Sequence, residues 1–453
     1  MPSKSRPNIL LIMCDQLRHD WLGYAGAEHV RTPNIDRIAA AGKVFTQACT
    51  NSPVCAPARI GLATGVRPHR DGALNNHAFL PLSRTTYYHR LRDAGYYVGC
   101  CGKLDLAKPD GYNGLRGDRP LTYAWGFTDP HECEGKMHAG RGDPPNGPYT
   151  AWLKERGLLK RFVADARERQ GKGAAGLLRE SVLPAEAFED VYVGRKSCEM
   201  LRAMPKDFPW HFFVSFVGPH DPFDPPAEYA ERFRGAEMPA AIPCEPEGRP
   251  QRYHYRHGPA SEDEVRLARR LYTGYVACID EQVGRLLETL EERGEADNTY
   301  VVFAADHGEM LGDHGRWTKS CHYESALRVP LVVSGPGIAP GRWDALVELS
   351  DLNPTLCELA EVEPARGMDA RSLTPLLRGE AREHREFTFA TLLGHHSVRT
   401  GEWKLIVGAD GRDELYHLAE DADERRNVVE QHADVARELT GLFTRTWMGG
   451  PGY

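Results

Sequence analysis

Short apolar segments alternate with segments of helical periodicity along most of the chain. Continuous apolar runs predict buried strands at residues 8–14, 96–100, 211–217 and 300–305. Helix signals between them, with Pro or a capping box at the start and Gly at the end, predict helices at residues 32–42, 87–94 and 261–294. This alternation is typical of an α/β fold in which a mostly parallel sheet lies between helices.

The pattern changes near residue 365. Residues 397–407 resemble two strands joined by a turn, residues 414–418 a further strand, and an amphipathic helix is predicted over residues 429–447. A chain of 453 residues also exceeds the ~250–300 at which a single core stops growing. We therefore predict a catalytic domain over 1–365 and a smaller antiparallel α+β subdomain over 366–453.

Composition argues against several classes of binding partner and structural site. The net charge of −8 argues against binding to nucleic acid or to an anionic membrane through bulk charge. No apolar run of ~18 residues predicts a membrane span, and the apolar run at 8–14 is too short for a secretory signal. Eleven cysteines without a Cys-x-x-Cys pair indicate neither a disulfide framework nor a zinc site. We expect a reducing, cytoplasmic location.

Polar residues follow each of the four predicted strands. These residues are Asp15, Lys103, His220 and Asp306. Because open α/β sheets bind ligands outside the carboxyl ends of their strands, we expect the four side chains to gather at one edge of the sheet.

Cys55 begins the pentapeptide Cys-Ala-Pro-Ala-Arg, which comes before a helix-like run. Pro57 suits the first turn of a helix, so Cys55 is expected near the end where free N–H groups favour an anion. Arg59 falls on the same helical face, and a permanently charged guanidinium beside a nucleophile suits a tetrahedral oxyanion such as sulfate or phosphate. The alternative is a buried structural cysteine at a helix start.

The pentapeptide fits Cys-x-Pro-x-Arg, and at this point the chain resembles the type I sulfatases and their relatives, the phosphonate monoester hydrolases. The resemblance implies an alkaline-phosphatase-like α/β fold. It also implies that a formylglycine-generating enzyme oxidises Cys55 to formylglycine. One hydroxyl of the hydrated aldehyde would attack sulfur, and the other would lose its proton so that sulfate is expelled.

The resemblance also implies a metal site. The pairs Asp15-Gln16 and Asp306-His307, with the oxygen derived from Cys55, make a shell suited to one hard divalent cation. Calcium is the first expectation, and magnesium and manganese are alternatives. Sulfatases commonly carry Asp-Asp at the first pair, so Gln16 and His307 are more similar to the phosphonate monoester hydrolases. Taken alone, either pair could instead be a helix cap or turn.

Two lysines match family signatures. Residues 306–319 resemble the second signature, which ends in a lysine that contacts the sulfate group, here Lys319. Gly102-Lys103 resembles the signature whose lysine bridges the aldehyde-derived group and the substrate. Asp105 stands where a histidine commonly binds the aldehyde-derived hydroxyl, and an ionised carboxylate cannot donate there.

Residues 218–223 resemble the element whose histidine protonates the leaving-group oxygen, here His220. Arg59 would steady the aldehyde hydrate. Two stretches rich in Pro and Arg, 108–190 and 224–260, are predicted to cover the active edge and set specificity. Candidate substrate contacts in them are His131, His138, Tyr253, His254, Tyr255, Arg256 and His257.

These features together predict a formylglycine-dependent hydrolase of a sulfate monoester, carried by a small molecule or a saccharide. Hydrolysis of a phosphonate monoester or phosphate diester is the alternative within the family. A noncatalytic relative that binds an anion or glycan is the alternative outside it, raised by Asp105. The sequence leaves the choice between a monomer and a homo-oligomer open.

Overall fold

The computed structural model describes residues 6–243, 261–409 and 411–449. Its main sheet has eight strands: β1 (Asn8–Cys14), β2 (Gly42–Cys49), β3 (Tyr97–Gly102), β4 (Asp129–Glu132), β5 (Trp210–Ser215), β6 (Thr299–Ala305), β7 (Leu331–Ser334) and β8 (Gly341–Glu348). They lie in the order β4-β3-β5-β1-β6-β7-β2-β8. Only β7 among them is antiparallel to its neighbours, which confirms the mostly parallel sheet.

The second sheet is antiparallel and has four strands: β9 (Thr388–Leu392), β10 (His395–Arg399), β11 (Trp403–Val407) and β12 (Glu414–His417). The α-helices are α1 (Pro33–Ala41), α2 (Cys55–Thr64), α3 (Pro68–Asp71), α4 (Tyr87–Asp93), α5 (Pro120–Ala124), α6 (Lys136–Ala139), α7 (Pro148–Glu155), α8 (Leu159–Arg169), α9 (Ala174–Leu177), α10 (Glu189–Ala203), α11 (Ala227–Glu231), α12 (Glu262–Glu292), α13 (Glu324–Leu327), α14 (Leu352–Leu359), α15 (Thr374–Leu377) and α16 (Ala433–Met448). Short 3₁₀ turns occupy Gly23–Ala25, Ala185–Ala187, Ala296–Asn298, Asp313–Gly315 and Leu349–Asp351.

The centre of the main sheet is formed by β5, β1 and β6. Strand β1 pairs in parallel with β5 on one side and with β6 on the other. All seven residues of β1 and all six of β5 are buried, because helices cover both faces of a parallel sheet. The carboxyl ends of these three strands therefore meet at one edge, in the middle of the sheet.

Several predicted boundaries differ from the structure. The strand predicted at 96–100 extends to Gly102, and the one predicted at 211–217 is Trp210–Ser215. The last helix begins at Ala433 rather than 429. The reason is that the N–H of Val428 bonds to the carbonyl of Leu415 in β12, so the chain is still tied to the sheet at that point.

Helix α16 packs on the second sheet, where Leu439 and Leu442 meet Phe389, Val398 and Leu405. A further apolar cluster joins the two parts of the chain and contains Met310, Cys321, Tyr323, Ala326, Ile406, Tyr416 and Leu418. The domain boundary near residue 365 stays a prediction. All ten described cysteines are free and buried, and within the described residues no helix is long and apolar enough to cross a bilayer.

Candidate active site

Strand ends bring the predicted polar residues together. Asp15 directly follows β1 and Asp306 directly follows β6, so both lie at the central edge of the sheet. Lys103 follows β3, and its N–H bonds to the carbonyl of Ser215 at the end of β5. The N–H of Asp15 bonds to the carbonyl of Gly218, two residues before His220. The structure thus gathers all four residues, as the strand pattern predicts.

Helix α2 presents Cys55 to this edge. Cys55 is the first residue of the helix and is fully buried. Its Sγ lies 3.2 Å from Nε2 of His307 and 3.6 Å from Oδ1 of Asp15. Burial and Asp15 would each raise the pKa of the Cys55 thiol, but Lys103 and other nearby lysines lower it well below its usual value. A cysteine in these polar surroundings differs from an inert core cysteine.

Asn76 holds the start of the same helix. The N-cap residue, Val54, has no side-chain oxygen to offer, and Pro57 has no N–H. The N–H of Ala56 instead donates to Oδ1 of Asn76, at 3.0 Å. Sequence analysis missed this residue, because it lies twenty positions away in a loop without periodic pattern.

Arg59 locks the two carboxylates in place. Its Nε donates to Oδ2 of Asp306 at 2.7 Å, and its Nη2 lies 3.2 Å from Oδ2 of Asp15. Nη1 donates to the carbonyl of Lys103 at 2.7 Å and to Oγ of Ser215 at 2.8 Å. Every nitrogen of this buried guanidinium is therefore engaged by the protein. Its predicted role in steadying an aldehyde hydrate stays a prediction.

Four side chains form a group that could hold a cation. One ligand atom each from Asp15, Cys55, Asp306 and His307 lies within 4.8 Å of the others, and all four residues are buried. Nδ1 of His307 lies 3.0 Å from the carbonyl of Gly308 and can only donate there. In the neutral imidazole that bond leaves the lone pair of Nε2 facing the group, which is the arrangement of a metal-binding histidine. Two carboxylates and an imidazole suit a divalent cation.

Gln16 makes a different set of contacts. Its Oε1 accepts a hydrogen bond from Nζ of Lys319, and its Nε2 donates to a carboxylate oxygen of Glu309. Its backbone N–H donates to Oδ1 of Asp306 at 3.0 Å. The predicted metal-binding role of Gln16 therefore stays a prediction, while the structure shows it holding Lys319.

Glu309 lies in the recognised signature, yet sequence analysis gave it no role. It is fully buried, and burial raises its pKa to about 7. Oε1 accepts the N–H groups of Leu311 at 2.9 Å and Thr318 at 2.6 Å. A buried glutamate inside a signature is a usable signal, but its contact with Gln16 could be found only in the fold.

Lys103 and Asp105 form a charged pair. Nζ of Lys103 contacts Oδ2 of Asp15 and lies 3.1 Å from Oδ2 of Asp105. Lys108 is bonded to the same oxygen of Asp105. Burial would raise the pKa of Asp105, but Lys103 and Lys108 hold it below its usual value. Asp105 is therefore ionised and accepts hydrogen bonds rather than donating them.

His220 lies in the loop after β5. Its Nδ1 is 2.7 Å from the carbonyl of Asp221, to which it donates, so Nε2 is left for another partner. Burial, with a smaller contribution from Lys319, lowers the pKa of His220. The free imidazole is therefore neutral near neutral pH, and a bound anion would raise its pKa again.

The role of the predicted covering segments stays a prediction. Nε2 of His131 bonds to the hydroxyl of Tyr192 at 2.9 Å, whereas no contact assigns a role to His138. Residues 253–257 lie outside the described residues. Gly135, after β4, lies against Lys103: a Cβ there would be 3.1 Å from Cε of that lysine.

Comparison with known proteins identifies the family. The sequence profile named Sulfatase matches residues 7–362, which is most of the chain. The chain belongs to the sulfatase family and is a sulfuric ester hydrolase. The profile of the N-sulphoglucosamine sulphohydrolase C-terminal region matches residues 312–446.

Individual relatives agree with this assignment. The chain is 31% identical to a choline-sulfatase of Rhizobium meliloti (strain 1021), over 94% of this chain and 83% of the relative. It is 27% identical to an arylsulfatase of Clostridium perfringens, over 94% of this chain and 90% of the relative. The structure of a phosphonate monoester hydrolase from Silicibacter pomeroyi superposes with a TM-score of 0.80 at 23% identity, covering 98% of this chain and 95% of that one. This last similarity shows the alkaline-phosphatase-like fold.

Proposed function

We propose that the protein hydrolyses a sulfate monoester with a formylglycine derived from Cys55 and one divalent cation. The observation that carries the proposal is the placement of Cys55 Sγ 3.2 Å from His307 and 3.6 Å from Asp15, at the start of a helix. Asp15, Gln16, Asp306, His307 and the Cys55-derived group would hold the cation, with calcium first and magnesium or manganese as alternatives. When present, the cation and the aldehyde hydrate supply charge stabilisation and the nucleophilic hydroxyl.

The other residues bind and orient the ester. Arg59 keeps Asp15 and Asp306 at a fixed spacing through its two hydrogen bonds. Lys103 and Lys319 neutralise charge on the sulfate oxygens, which is the main requirement for transfer through a loose transition state. Asp105 holds Lys103 from the other side.

His220 supplies the proton to the leaving group. Its Nδ1 is fixed by the carbonyl of Asp221, so Nε2 is the atom that can hold a proton for the departing oxygen. Burial keeps the pKa of His220 low in the free protein, and the negative charge of the ester would raise it on binding. His220 would thus become an acid when the substrate is in place.

Phosphonate monoester or phosphate diester hydrolysis is the second candidate. It is favoured by Gln16, a neutral residue beside Asp15, and by His307 in the metal group. A noncatalytic binding role is motivated by Asp105, whose ionised side chain cannot donate as a histidine would. The residues expected for the nucleophile, for the metal ligands and for the two sulfate-contacting lysines are all present, which argues for the hydrolase.

The substrate partner would be a small-molecule or saccharide sulfate ester, and a formylglycine-generating enzyme would mature the protein. A cytoplasmic location suits an enzyme that acts on imported esters, which cell fractionation would test. Sedimentation would decide between a monomer and a homo-oligomer.

The decisive experiment joins a mass measurement to activity. Protein produced with and without a formylglycine-generating enzyme is digested, and the peptide across Cys55 is weighed; conversion lowers its mass by roughly 18 Da. Activity on an aryl sulfate should rise with the converted fraction, exceed activity on an aryl phosphonate ester, and vanish in Cys55→Ala. Cys357→Ala removes a buried thiol in α14 and should keep activity. A thiol at Cys55 in fully active protein would refute the mechanism.

A further inference from the structure

A carboxylate, an amide and an ammonium form a buried chain of hydrogen bonds beside the candidate metal group of Asp15, Cys55, Asp306 and His307. Glu309 accepts a hydrogen bond from Nε2 of Gln16, and Oε1 of Gln16 accepts one from Nζ of Lys319. All three residues are buried, with Lys319 8% exposed. These hydrogen bonds join the loop after β1 to the loop after β6, and Gln16 and Glu309 are 293 positions apart in the sequence.

The orientation of the Gln16 amide in this chain of hydrogen bonds is fixed by its partners at both ends. An amide has a donor end and an acceptor end, and an ammonium only donates. The oxygens of Glu309 face the N–H donors of Gln16, Leu311 and Thr318, so they accept. Glu309 faces the donor end of Gln16, and Oδ1 of Asp221 adds a second acceptor at 3.4 Å. The amide oxygen is therefore turned toward Lys319. Rotating the amide by 180° would place its NH2 group against the ammonium of Lys319 and its oxygen against the carboxylate of Glu309.

Glu309 also shapes the chain that carries Lys319. Its Oε1 bonds to the N–H of Thr318, the residue directly before Lys319. Thr318 has a φ of 63°, in the left-handed region that a β-branched residue rarely adopts. One carboxylate thus contacts both the backbone before Lys319 and, through Gln16, its ammonium group.

The two lysines of the site are held differently. Lys103 forms ion pairs with Asp15 and Asp105. In the part of the chain that the structure describes, Lys319 forms no ion pair and rests on the neutral oxygen of Gln16. An amide between Glu309 and Lys319 orients the ammonium without cancelling its charge, which leaves that charge for an incoming anion.

We propose that Glu309 is a positioning residue that acts through Gln16 to aim the ammonium of Lys319 at the anionic group of the substrate. The proposal rests on the proposed function, since it takes Lys319 to be the lysine that contacts the sulfate and leaves the second lone pair of the Gln16 amide oxygen for the cation. It gives a role to a buried glutamate that touches neither substrate nor cation. Its effect should appear in anion binding, before any effect on bond cleavage.

The test replaces the carboxylate by its amide. Glu309→Gln keeps the size and one acceptor oxygen but turns a donor toward Gln16, so either this contact or the one between Gln16 and Lys319 becomes donor against donor. Losing a hydrogen bond to a charged group reduces affinity by about tenfold or more. We expect Glu309→Gln to raise the dissociation constant of inorganic sulfate by that factor, with KM for the ester rising more than kcat falls. Calorimetry on the metal-loaded, converted enzyme gives the first quantity.

Asp280 offers a matched control. Its carboxylate is buried and accepts two backbone N–H groups, of Asn34 and Ile35, and the side-chain amide of Asn34. Asp280→Asn therefore makes the same chemical change at a buried carboxylate whose hydrogen bonds go to Asn34 and Ile35 rather than to Gln16. Sulfate affinity should be unchanged in this variant, even where its thermal midpoint falls.

A double-mutant cycle separates the loss of Lys319 orientation from a general loss of structure. If Glu309 acts through Lys319, Glu309→Gln should weaken sulfate binding in the wild type but not in Lys319→Ala. Equal losses in both backgrounds, or wild-type affinity in Glu309→Gln, would overturn the proposal. If Glu309→Gln does not fold, the cycle is run with Glu309→Asp, whose shorter side chain cannot reach Gln16 and both backbone amides.

The cycle also stays distinct from the test of the proposed function. Calorimetry measures sulfate binding without turnover. A wild type that binds sulfate, shows the coupling and hydrolyses a phosphonate instead would refute only the sulfatase activity. A wild type that hydrolyses sulfate esters with additive losses in the cycle would refute only the role of Glu309. A wild type that binds no sulfate would refute both.

Discussion

Replacing Asn76 with alanine should loosen the start of α2, and with it the position of Cys55. The bond from the N–H of Ala56 to Oδ1 of Asn76 is 3.0 Å long, and Ala56 is fully buried. Val54 at the N-cap offers no replacement acceptor. Leaving a buried donor unsatisfied costs about 1–3 kcal/mol, and removing an N-cap acceptor costs a similar ~0.5–2 kcal/mol.

The assay is calorimetric unfolding of matched variants. Because the entropy of unfolding scales with chain length, that loss lowers the thermal midpoint of a chain of this size by only about 1–3 °C. Asn76→Asp keeps an acceptor oxygen and should keep the midpoint. Asn75→Ala serves as the control, since Oδ1 of Asn75 accepts the N–H of His77 within an exposed part of the same loop. Its midpoint should change by less.

Activity adds a second measurement to the same set. Asn76→Ala should lower kcat for the preferred ester in protein with equal formylglycine content, because the proposed nucleophile is the first residue of the loosened helix. The reasoning fails if Asn76→Ala unfolds at the wild-type temperature, or if Asn75→Ala is equally damaging. In either case the bond does not hold the helix start.

Three further changes have definite outcomes. His307→Ala removes the imidazole that the described residues contribute to the metal group and should lower the metal content found by mass spectrometry, whatever the activity. Gly135→Ala places a Cβ 3.1 Å from Cε of Lys103, so kcat/KM should fall while the thermal midpoint holds. Glu324→Gln leaves the buried Arg399 without its carboxylate, a loss of about 3–5 kcal/mol measurable by unfolding. Burial would raise the pKa of Glu324, but Arg399 lowers it well below 4.5, so this loss is full above that pH and shrinks as the pH falls.

The strand pattern predicted much of the site because the neighbouring sequence alone shows whether a residue follows a buried strand. A polar residue after a buried apolar run must lie at the carboxyl edge, whatever the rest of the chain does. Asp15, Lys103 and Asp306 were placed correctly for that reason, and His220 came with them through the loop after β5. Strands as short as β4 and β7, with four residues each, carry too few positions to show a period and were not predicted.

The contacts that orient the site could not be predicted, because they join distant parts of the sequence. Gln16 meets Glu309 only because β1 and β6 are neighbours in the sheet. Asn76 reaches Ala56 only because its loop folds back over the helix start. A sequence motif predicts the catalytic groups. The residues that orient those groups come from distant parts of the chain, and only the fold shows which they are.

The charge of the site argues for a substrate with a single negative charge. Asp15 and Asp306 share the guanidinium of Arg59, and Lys103 is paired with carboxylates on both sides. Within the described residues, Lys319 is the ammonium of the site without an acidic partner. A sulfate monoester brings one negative charge, which this ammonium can balance. A phosphate monoester near neutral pH brings about two charges. The second would have to be balanced by Arg59, by Lys103 or by the proposed divalent cation, each of which already shares Asp15 or Asp306. Phosphate monoesters should therefore be poor substrates, whereas a singly charged phosphonate ester or diester remains the competitor that the aryl ester assay must exclude.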